Sequence, residues 1–174
     1  MKAKTALLLS LFTILISCSK QGNLNQFETF GDENRWQKSD AKTFEFDITN
    51  DSQLYNLTFR FSHVYDYQFA TVPLNFVIEN PVGEKTNHSI DFAIKDDNGK
   101  ELGECAGDVC DLNYKIEENV KLQKGKYKVT FSHSFNGPYL PNVILFVFFF
   151  SLFYILNFQS NSDYIWKIWA IKTM

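Results

Sequence analysis

Along its middle, the sequence alternates apolar and polar residues with a period of two. Leu57, Phe59 and Phe61, for example, are each followed by a polar residue. Because a β-strand points successive side chains to opposite faces, such a segment has one buried and one solvated face. Five segments share the pattern, and they span residues 44–48, 57–62, 74–78, 90–95 and 127–132.

Short turn sequences separate these segments. The clearest are Asn50-Asp51, Pro81-Val82-Gly83, Asp97-Asn98-Gly99 and Lys124-Gly125, whose residue types favour chain reversal. Half-solvated antiparallel strands joined by short turns bury their apolar faces best as two packed sheets. The sequence therefore predicts an all-β fold, an antiparallel β-sandwich of about 7–8 strands. The sandwich is expected over residues 43–142, with a barrel as the alternative.

The N-terminal segment has the pattern of a lipoprotein signal peptide over residues 1–17. A basic start at Lys2 and Lys4 precedes an 11-residue apolar core, which is too short for a permanent transmembrane helix. Leu15-Ile16-Ser17-Cys18 then matches the bacterial lipobox pattern. We expect a helical signal that is cut before Cys18, and acyl chains on that cysteine that attach the protein to a membrane. The alternative is an ordinary signal peptide with a chance cysteine.

The residues after Cys18 predict where the protein is held. Ser19 follows the cysteine, and no aspartate stands there to favour retention in the inner membrane. We therefore expect attachment to the outer membrane, facing the periplasm. Residues 18–42 are polar and are predicted to form a lipid-anchored tether, in which Phe27, Phe30 and Trp36 could dock on a core.

No motif for catalysis or metal binding stands out. The Asp96-Asp97-Asn98-Gly99 segment resembles the start of a calcium loop, but Glu101 stands where that loop needs glycine, and Gly107 where it needs glutamate. The three histidines lie far apart and have no ligand partner at a metal-binding spacing. They are His63, His88 and His133. The sequence therefore predicts no enzyme activity, no cofactor and no metal.

The charge of the chain argues against a nucleic-acid partner. The formal net charge is −3 and the isoelectric point is about 5.6, whereas proteins that bind nucleic acids normally carry a basic surplus.

Two features leave alternatives open. Cys105 and Cys110 could form a disulfide in an oxidising compartment, or they could remain free thiols. Trp36, Tyr65 and Tyr67 could form a platform for stacking sugars, although aromatic residues in a β-sandwich are more often core. A carbohydrate-binding lipoprotein of the cell envelope is therefore the second functional hypothesis.

Several short motifs occur in order between Trp36 and Val143. They are Tyr55-Asn56-Leu57 with Arg60, Tyr67-Gln68-Phe69, Glu79-Asn80-Pro81-Val82-Gly83, Asp97-Asn98-Gly99 with Leu102-Gly103 and Gly107-Asp108, Tyr114-Lys115-Ile116-Glu117-Glu118-Asn119-Val120, Lys124-Gly125-Lys126-Tyr127 and Pro141-Asn142-Val143. Their order and spacing resemble those of the gliding motility lipoproteins called GldH, found in gliding bacteria of the Bacteroidetes group.

This resemblance implies a non-enzymatic lipoprotein that is needed for surface gliding and linked to the type IX secretion apparatus. Its implied partners are other gliding motility lipoproteins and envelope components, and the membrane through the lipid on Cys18. The family supplies no catalytic residues to carry over. Cys105 and Cys110 are not part of the family pattern.

Residues 143–174 depart from the family pattern. They begin with an almost wholly apolar run to residue 156, in place of a final alternating strand. As a helix this run covers only about 21 Å of a bilayer core of about 30 Å. Three interpretations compete: a membrane or interfacial segment, a buried final strand followed by a helix, or a reading frame lost near Val143. We favour the lost frame, because the tail is rich in residue types that AT-rich DNA encodes. The prediction is an apolar, atypical and potentially helical tail outside the sandwich.

Overall fold

The structure, a computed structural model, describes residues 24–152. The predicted signal peptide, Cys18 and the last part of the predicted tail lie outside the described residues. The strands are β1 (Leu24–Thr29), β2 (Trp36–Gln37), β3 (Lys42–Ile48), β4 (Leu54–Val64), β5 (Thr71–Glu79), β6 (Lys85–Ala93), β7 (Glu104–Ala106), β8 (Val109–Lys121), β9 (Gly125–His133), β10 (Tyr139–Leu140) and β11 (Val143–Leu152).

The strands form two main antiparallel sheets. One sheet has five strands in the order β1-β11-β4-β8-β7, and the other has four in the order β3-β9-β5-β6. Strands β10 and β2 form a separate two-stranded pair. Eight of the described strands contain six or more residues. The predicted antiparallel β-sandwich is therefore confirmed, although the eleven described strands exceed the 7–8 that were expected.

The alternation in the sequence appears in the structure as alternating burial. In β3, Phe44, Phe46 and Ile48 are buried, whereas the residues between them are exposed. The other four alternating segments lie in β4, β5, β6 and β9, and the segment 90–95 runs two residues past the end of β6. Each of these strands turns its apolar side chains toward the opposite sheet, as the period of two predicts.

Aromatic rings from both sheets form the core between them. The ring of Phe131, in β9, lies 5.5 Å from that of Phe59 in β4 and 4.7 Å from that of Phe146 in β11, measured between centroids. Phe44 in β3 stacks on Phe146 at 6.0 Å. Tilted and offset contacts at such distances stabilise aromatic pairs beyond the area they bury. The phenylalanines therefore join the two sheets.

The boundary predicted at residue 143 is wrong, because residues 143–152 form β11 within the five-stranded sheet. This strand pairs with β1 on one side and β4 on the other. Phe146, Phe148 and Phe150 point into the core, and Val147 on the other face is only 8% exposed. A strand that carries apolar residues on both faces has no polar alternation to show in its sequence. The apolar run that suggested a lost frame is thus, as far as residue 152, a strand of the five-stranded sheet whose inner face is buried.

The predicted tether also ends earlier than expected, because β1 and β2 belong to the folded domain. Phe30 and Trp36 are buried, as their role as docking points predicts, whereas Phe27 is 67% exposed. The Gln26 side chain donates to the backbone carbonyl of Glu45 in β3 at 2.7 Å and accepts from its backbone N–H at 3.1 Å. Strand β1 therefore closes one open side of the sandwich.

Candidate functional site

The start of β1 and the end of β11 lie at the same end of the sandwich, which we call the anchor end. Leu24, the first residue of β1, pairs with Phe150, and β11 ends two residues later at Leu152. Cys18 stands six residues before Leu24 in the sequence. Because an extended chain spans at most about 3.6 Å per residue, the connection from Cys18 to Leu24 can be at most about 22 Å long. A lipid on Cys18 would hold the anchor end close to a membrane.

The turn between β5 and β6 lies at the same end. Gly125, which pairs with the last residue of β3, has a φ of +136°, and a Cβ atom there would lie 2.7 Å from Pro81. This close approach requires glycine and fixes the turn against the start of β9. Val82, next to Pro81, is 69% exposed at the anchor end.

The two other cysteines lie at the opposite end, which we call the distal end. Cys105 in β7 stands directly across from Cys110 in β8, and the structure joins them as a disulfide with their Cα atoms 4.0 Å apart. Cys110 is fully buried and also pairs with His63 of β4. The disulfide therefore attaches the short edge strand β7 to the body of the five-stranded sheet.

A polar network lies close to the disulfide. Lys95 Nζ is 2.8 Å from Asp66 Oδ1 and 3.8 Å from Glu101 Oε1. The Lys95 ammonium lowers the pKa of Asp66, and the Asp66 carboxylate, through its hydrogen bond, raises the pKa of Lys95. Glu101 Oε1 also accepts from the backbone N–H of Tyr67 at 3.0 Å. The network connects the segment after β4 to the turn after β6, and its members are too far apart in sequence for motif analysis to find.

A second contact of Glu101 is buried. Glu101 Oε2 lies 3.9 Å from His63 Nε2, and neither of these two buried atoms has a hydrogen-bond partner. Two such residues do not form a metal site. Across residues 24–152 the structure brings together no group of three or more His, Cys, Asp or Glu side chains that could hold a metal ion.

The predicted sugar platform does not form from the three aromatic residues proposed for it. Trp36 is fully buried, and its indole Nε1 donates to the backbone carbonyl of Asp40 at 2.6 Å. Tyr67 is 1% exposed, and its hydroxyl donates to the carbonyl of Pro141 at 2.9 Å. Of the three, Tyr65 alone is exposed. Trp36 and Tyr67 are core residues, because their large apolar rings fill the space between the sheets and their polar atoms find backbone partners.

Among the described residues there is no helix with the length and apolar content needed to span a membrane. The described domain is an aromatic-cored antiparallel sandwich, and the predicted lipobox cysteine stands six positions before its first strand. That combination is the one expected of a β-sandwich lipoprotein of the cell envelope.

Comparison with known proteins gives the family within this class. Residues 23–144 match the family model described as GldH lipoprotein, and the chain belongs to that family. Two relatives are each 28% identical to this chain. The Gliding motility lipoprotein GldH homolog of Christiangramia forsetii aligns over 133 residues, 75% of this chain and 80% of that protein. The Gliding motility lipoprotein GldH of Flavobacterium johnsoniae aligns over 130 residues, 74% of this chain and 80% of that protein.

Solved structures resemble the chain more distantly. The structure of TmCBM61 in complex with beta-1,4-galactotriose covers 77% of this chain and 88% of its own, with a TM-score of 0.35 and 10% sequence identity. At this level of similarity, no conclusion about a ligand follows.

Proposed function

We propose that the protein is a non-enzymatic, lipid-anchored structural component of the bacterial gliding motility machinery. A lipid on Cys18 would attach the protein to the outer membrane, where it would face the periplasm. Its role in gliding would be linked to the type IX secretion apparatus. The match of residues 23–144 to the GldH lipoprotein family carries this proposal. The names of the two relatives, both gliding motility lipoproteins, agree with it.

The structure suggests how such a component would act. It would act by binding other proteins and not by catalysing a reaction. The sandwich would provide a rigid binding surface for other gliding motility lipoproteins. Aromatic contacts join the two sheets, and the disulfide holds the edge strand β7. The hydrogen bonds of the Gln26 side chain to the backbone of Glu45 hold β1 against β3 of the other sheet. Surfaces held in place in this way can bind a partner with little loss of conformational entropy.

The decisive experiment is a clean deletion of the gene in the bacterium that encodes it. We expect the deleted cells to lose surface spreading, and a copy of the wild-type gene to restore it. A Cys18→Ser copy should fail to restore it, because the protein would have no lipid. The matched control Ser19→Ala changes the neighbouring residue without removing the attachment site and should restore spreading.

Two measurements complete this test. An immunoblot of membrane and soluble fractions should show the wild-type protein in the membrane and the Cys18→Ser protein absent from it. Assays of secreted proteins should show a defect in the deleted cells. Cells that glide and secrete normally without the gene would refute the proposed function.

A further inference from the structure

We propose that two copies of this chain associate through the outer face of the five-stranded sheet, with Phe27 at the centre of the contact. Phe27 lies in β1 and is 67% exposed. A single exposed apolar residue is common on protein surfaces and needs no explanation. Phe27 is different, because it stands beside further apolar residues on the same face of the sheet.

The register of the sheet defines this face. Phe27 pairs directly with Val147 of β11, and Val147 pairs with Arg60 of β4. Directly paired residues of antiparallel strands project to the same side of a sheet. Phe146 and Phe148, on either side of Val147 in the sequence, point into the core. The three paired residues therefore lie together on the outer face.

Two half-buried residues complete an apolar strip along β1 and β11. Leu145 and Phe149 stand two positions before and after Val147 and so share its face. Both are diagonal neighbours of Phe27, close enough for large side chains to make contact. We call Phe27, Leu145, Val147 and Phe149 the outer strip. In the other sheet, the exposed outward residues of β3 and β9 are instead polar, namely Thr43, Glu45, Asp47, Lys126 and Lys128.

The positive charge that borders the outer strip is already paired within the chain. Arg60 Nη1 lies 3.6 Å from Asp111 Oδ2, and Arg60 Nε donates to the side-chain oxygen of Asn113 at 3.1 Å. The same guanidinium lies over the Phe149 ring, 5.2 Å from its centroid. The border of the strip is therefore electrically balanced. A partner that binds here is selected for an apolar surface of matching shape and not for opposite charge.

A second copy of the chain meets these requirements. An uncharged strip can meet its own copy without local like-charge repulsion, although each chain carries a formal net charge of −3. A twofold axis near Phe27 places strip on strip, so that each copy covers the apolar residues of the other. The lipid anchor of the proposed function would add to the pairing, because it holds the strips of neighbouring copies at the same height and raises their effective concentration. The surface itself belongs to the folded domain and does not depend on the gliding role.

The size of the face predicts a weak and reversible dimer. Strand β11 has ten residues and is about 33 Å long, and the four strands from β1 to β8 span about 14 Å. Contact over this area buries about 1,000 Å² on the two copies together, which is the lower limit for a specific interface. Because aromatic residues at the centre of an interface carry much of its binding energy, Phe27→Ala should raise the dissociation constant about tenfold or more.

The first test identifies what contacts position 27 in cells. The full lipidated chain is made in its own host as two copies with different epitope tags, and the photo-crosslinking amino acid p-benzoylphenylalanine replaces Phe27. Illumination should give an adduct of twice the mass of the chain that carries both tags. The matched control places the same amino acid at Tyr65, another exposed aromatic position, whose backbone N–H donates to Asp108 at the distal end. This control should give no such adduct.

The other outcomes of this test overturn the inference. An adduct of position 27 with its own chain alone, or with a different protein alone, makes that group and not a second copy the occupant of the strip. No adduct from position 27, or equal yields of the two-tag adduct from positions 27 and 65, shows that the strip is not the interface.

Sedimentation equilibrium of the full chain with Cys18→Ser measures the pairing without the membrane. We expect a mixture of monomer and dimer that changes with concentration. Phe27→Ala should weaken the dimer about tenfold or more. Thr29→Asp should weaken it too, because Thr29 is exposed on the same face and the change places like charges on both copies. Tyr65→Ala, the matched control, should leave the dimer unchanged.

A chain that stays monomeric at every concentration, or a dimer that neither Phe27→Ala nor Thr29→Asp weakens, overturns the pairing. Both changes are at exposed positions, so neither removes a core contact. These results are independent of the gene deletion. A monomeric protein leaves the gliding role intact, and a dimeric protein whose loss does not affect gliding refutes that role alone.

Discussion

His133 is a buried side chain that is expected to make the stability of this domain depend on pH. It is 4% exposed at the end of β9, and its Nε2 donates to the backbone carbonyl of Trp36 at 3.0 Å. Its Nδ1 is buried and has no hydrogen-bond partner. Burial, with a smaller contribution from the charge of Lys38, lowers the pKa of His133 below its ordinary value of 6.5.

The sign of the pH effect follows from this shift. Below pH 6.5 the unfolded chain binds a proton at position 133 that the folded protein resists, so the free energy of unfolding should fall with acidification. For one titrating group, the free energy of unfolding cannot fall by more than about 1.4 kcal/mol per pH unit. Urea unfolding on either side of pH 6.5 measures it. A His133→Gln variant keeps a donor but cannot titrate, and should show a shallower dependence. An unchanged slope in that variant would assign the effect to other groups.

At the scale of secondary structure, the sequence predicts those strands that expose one face to solvent. Strands β3, β4, β5, β6 and β9 were predicted because their polar residues point to solvent. Strand β8 carries the same signal at Leu112, Tyr114 and Ile116, although it is not among the five predicted segments. Strand β11 gave no such signal, because its outer face also carries apolar residues, of which Val147 is buried and Leu145 and Phe149 are half-buried. Composition alone cannot distinguish such a strand from a membrane segment.

Adjacent residues of β11 offer a direct test of its place in the core. Phe148 is fully buried and contacts Phe44 and Phe46 of the other sheet, whereas Phe149 is half-buried on the outer face beneath Arg60. Phe148→Ala should lower the free energy of unfolding by about 3–5 kcal/mol, because it leaves a cavity between the sheets. Phe149→Ala, the matched control, should cost roughly 1 kcal/mol, mainly its contact with the guanidinium. Urea unfolding of both variants decides the point, and equal costs would contradict the assigned faces.

The disulfide at the distal end is expected to stabilise the domain modestly. The loop it closes is short, because Cys105 and Cys110 are separated by five positions. The cross-link lowers the conformational entropy of the unfolded chain, which raises the free energy of unfolding by about 2 kcal/mol. Adding a reductant should lower the free energy of unfolding by this amount. The Cys105→Ser/Cys110→Ala variant should start from the lower value and show no response to reductant. Mass spectrometry of the alkylated protein should find both thiols blocked before reduction, and two freely alkylated cysteines would refute the bridge.

At the scale of the whole molecule, the fold depends on a strand close to the end of the chain. Strand β11 is the only strand that pairs with β1 in the described part of the chain, and it also covers the edge of β4. Its three inward phenylalanines each contribute about 1.5–3 kcal/mol when buried. Together they are comparable with the net stability of an ordinary domain, about 5–15 kcal/mol.

Two truncations separate the strand from the residues that follow it. A protein ending at Leu152 keeps every described strand and should unfold cooperatively, with a free energy of unfolding close to that of the full chain. A protein ending at Asn142 loses β11, leaves β1 without a partner and exposes the edge of β4, so it should not fold and should aggregate. Circular dichroism with urea unfolding, and size-exclusion chromatography, compare the two. If the shorter protein unfolds as cooperatively as the longer one, β11 is not part of the core, and the loss of the reading frame near Val143 becomes the better explanation of the tail.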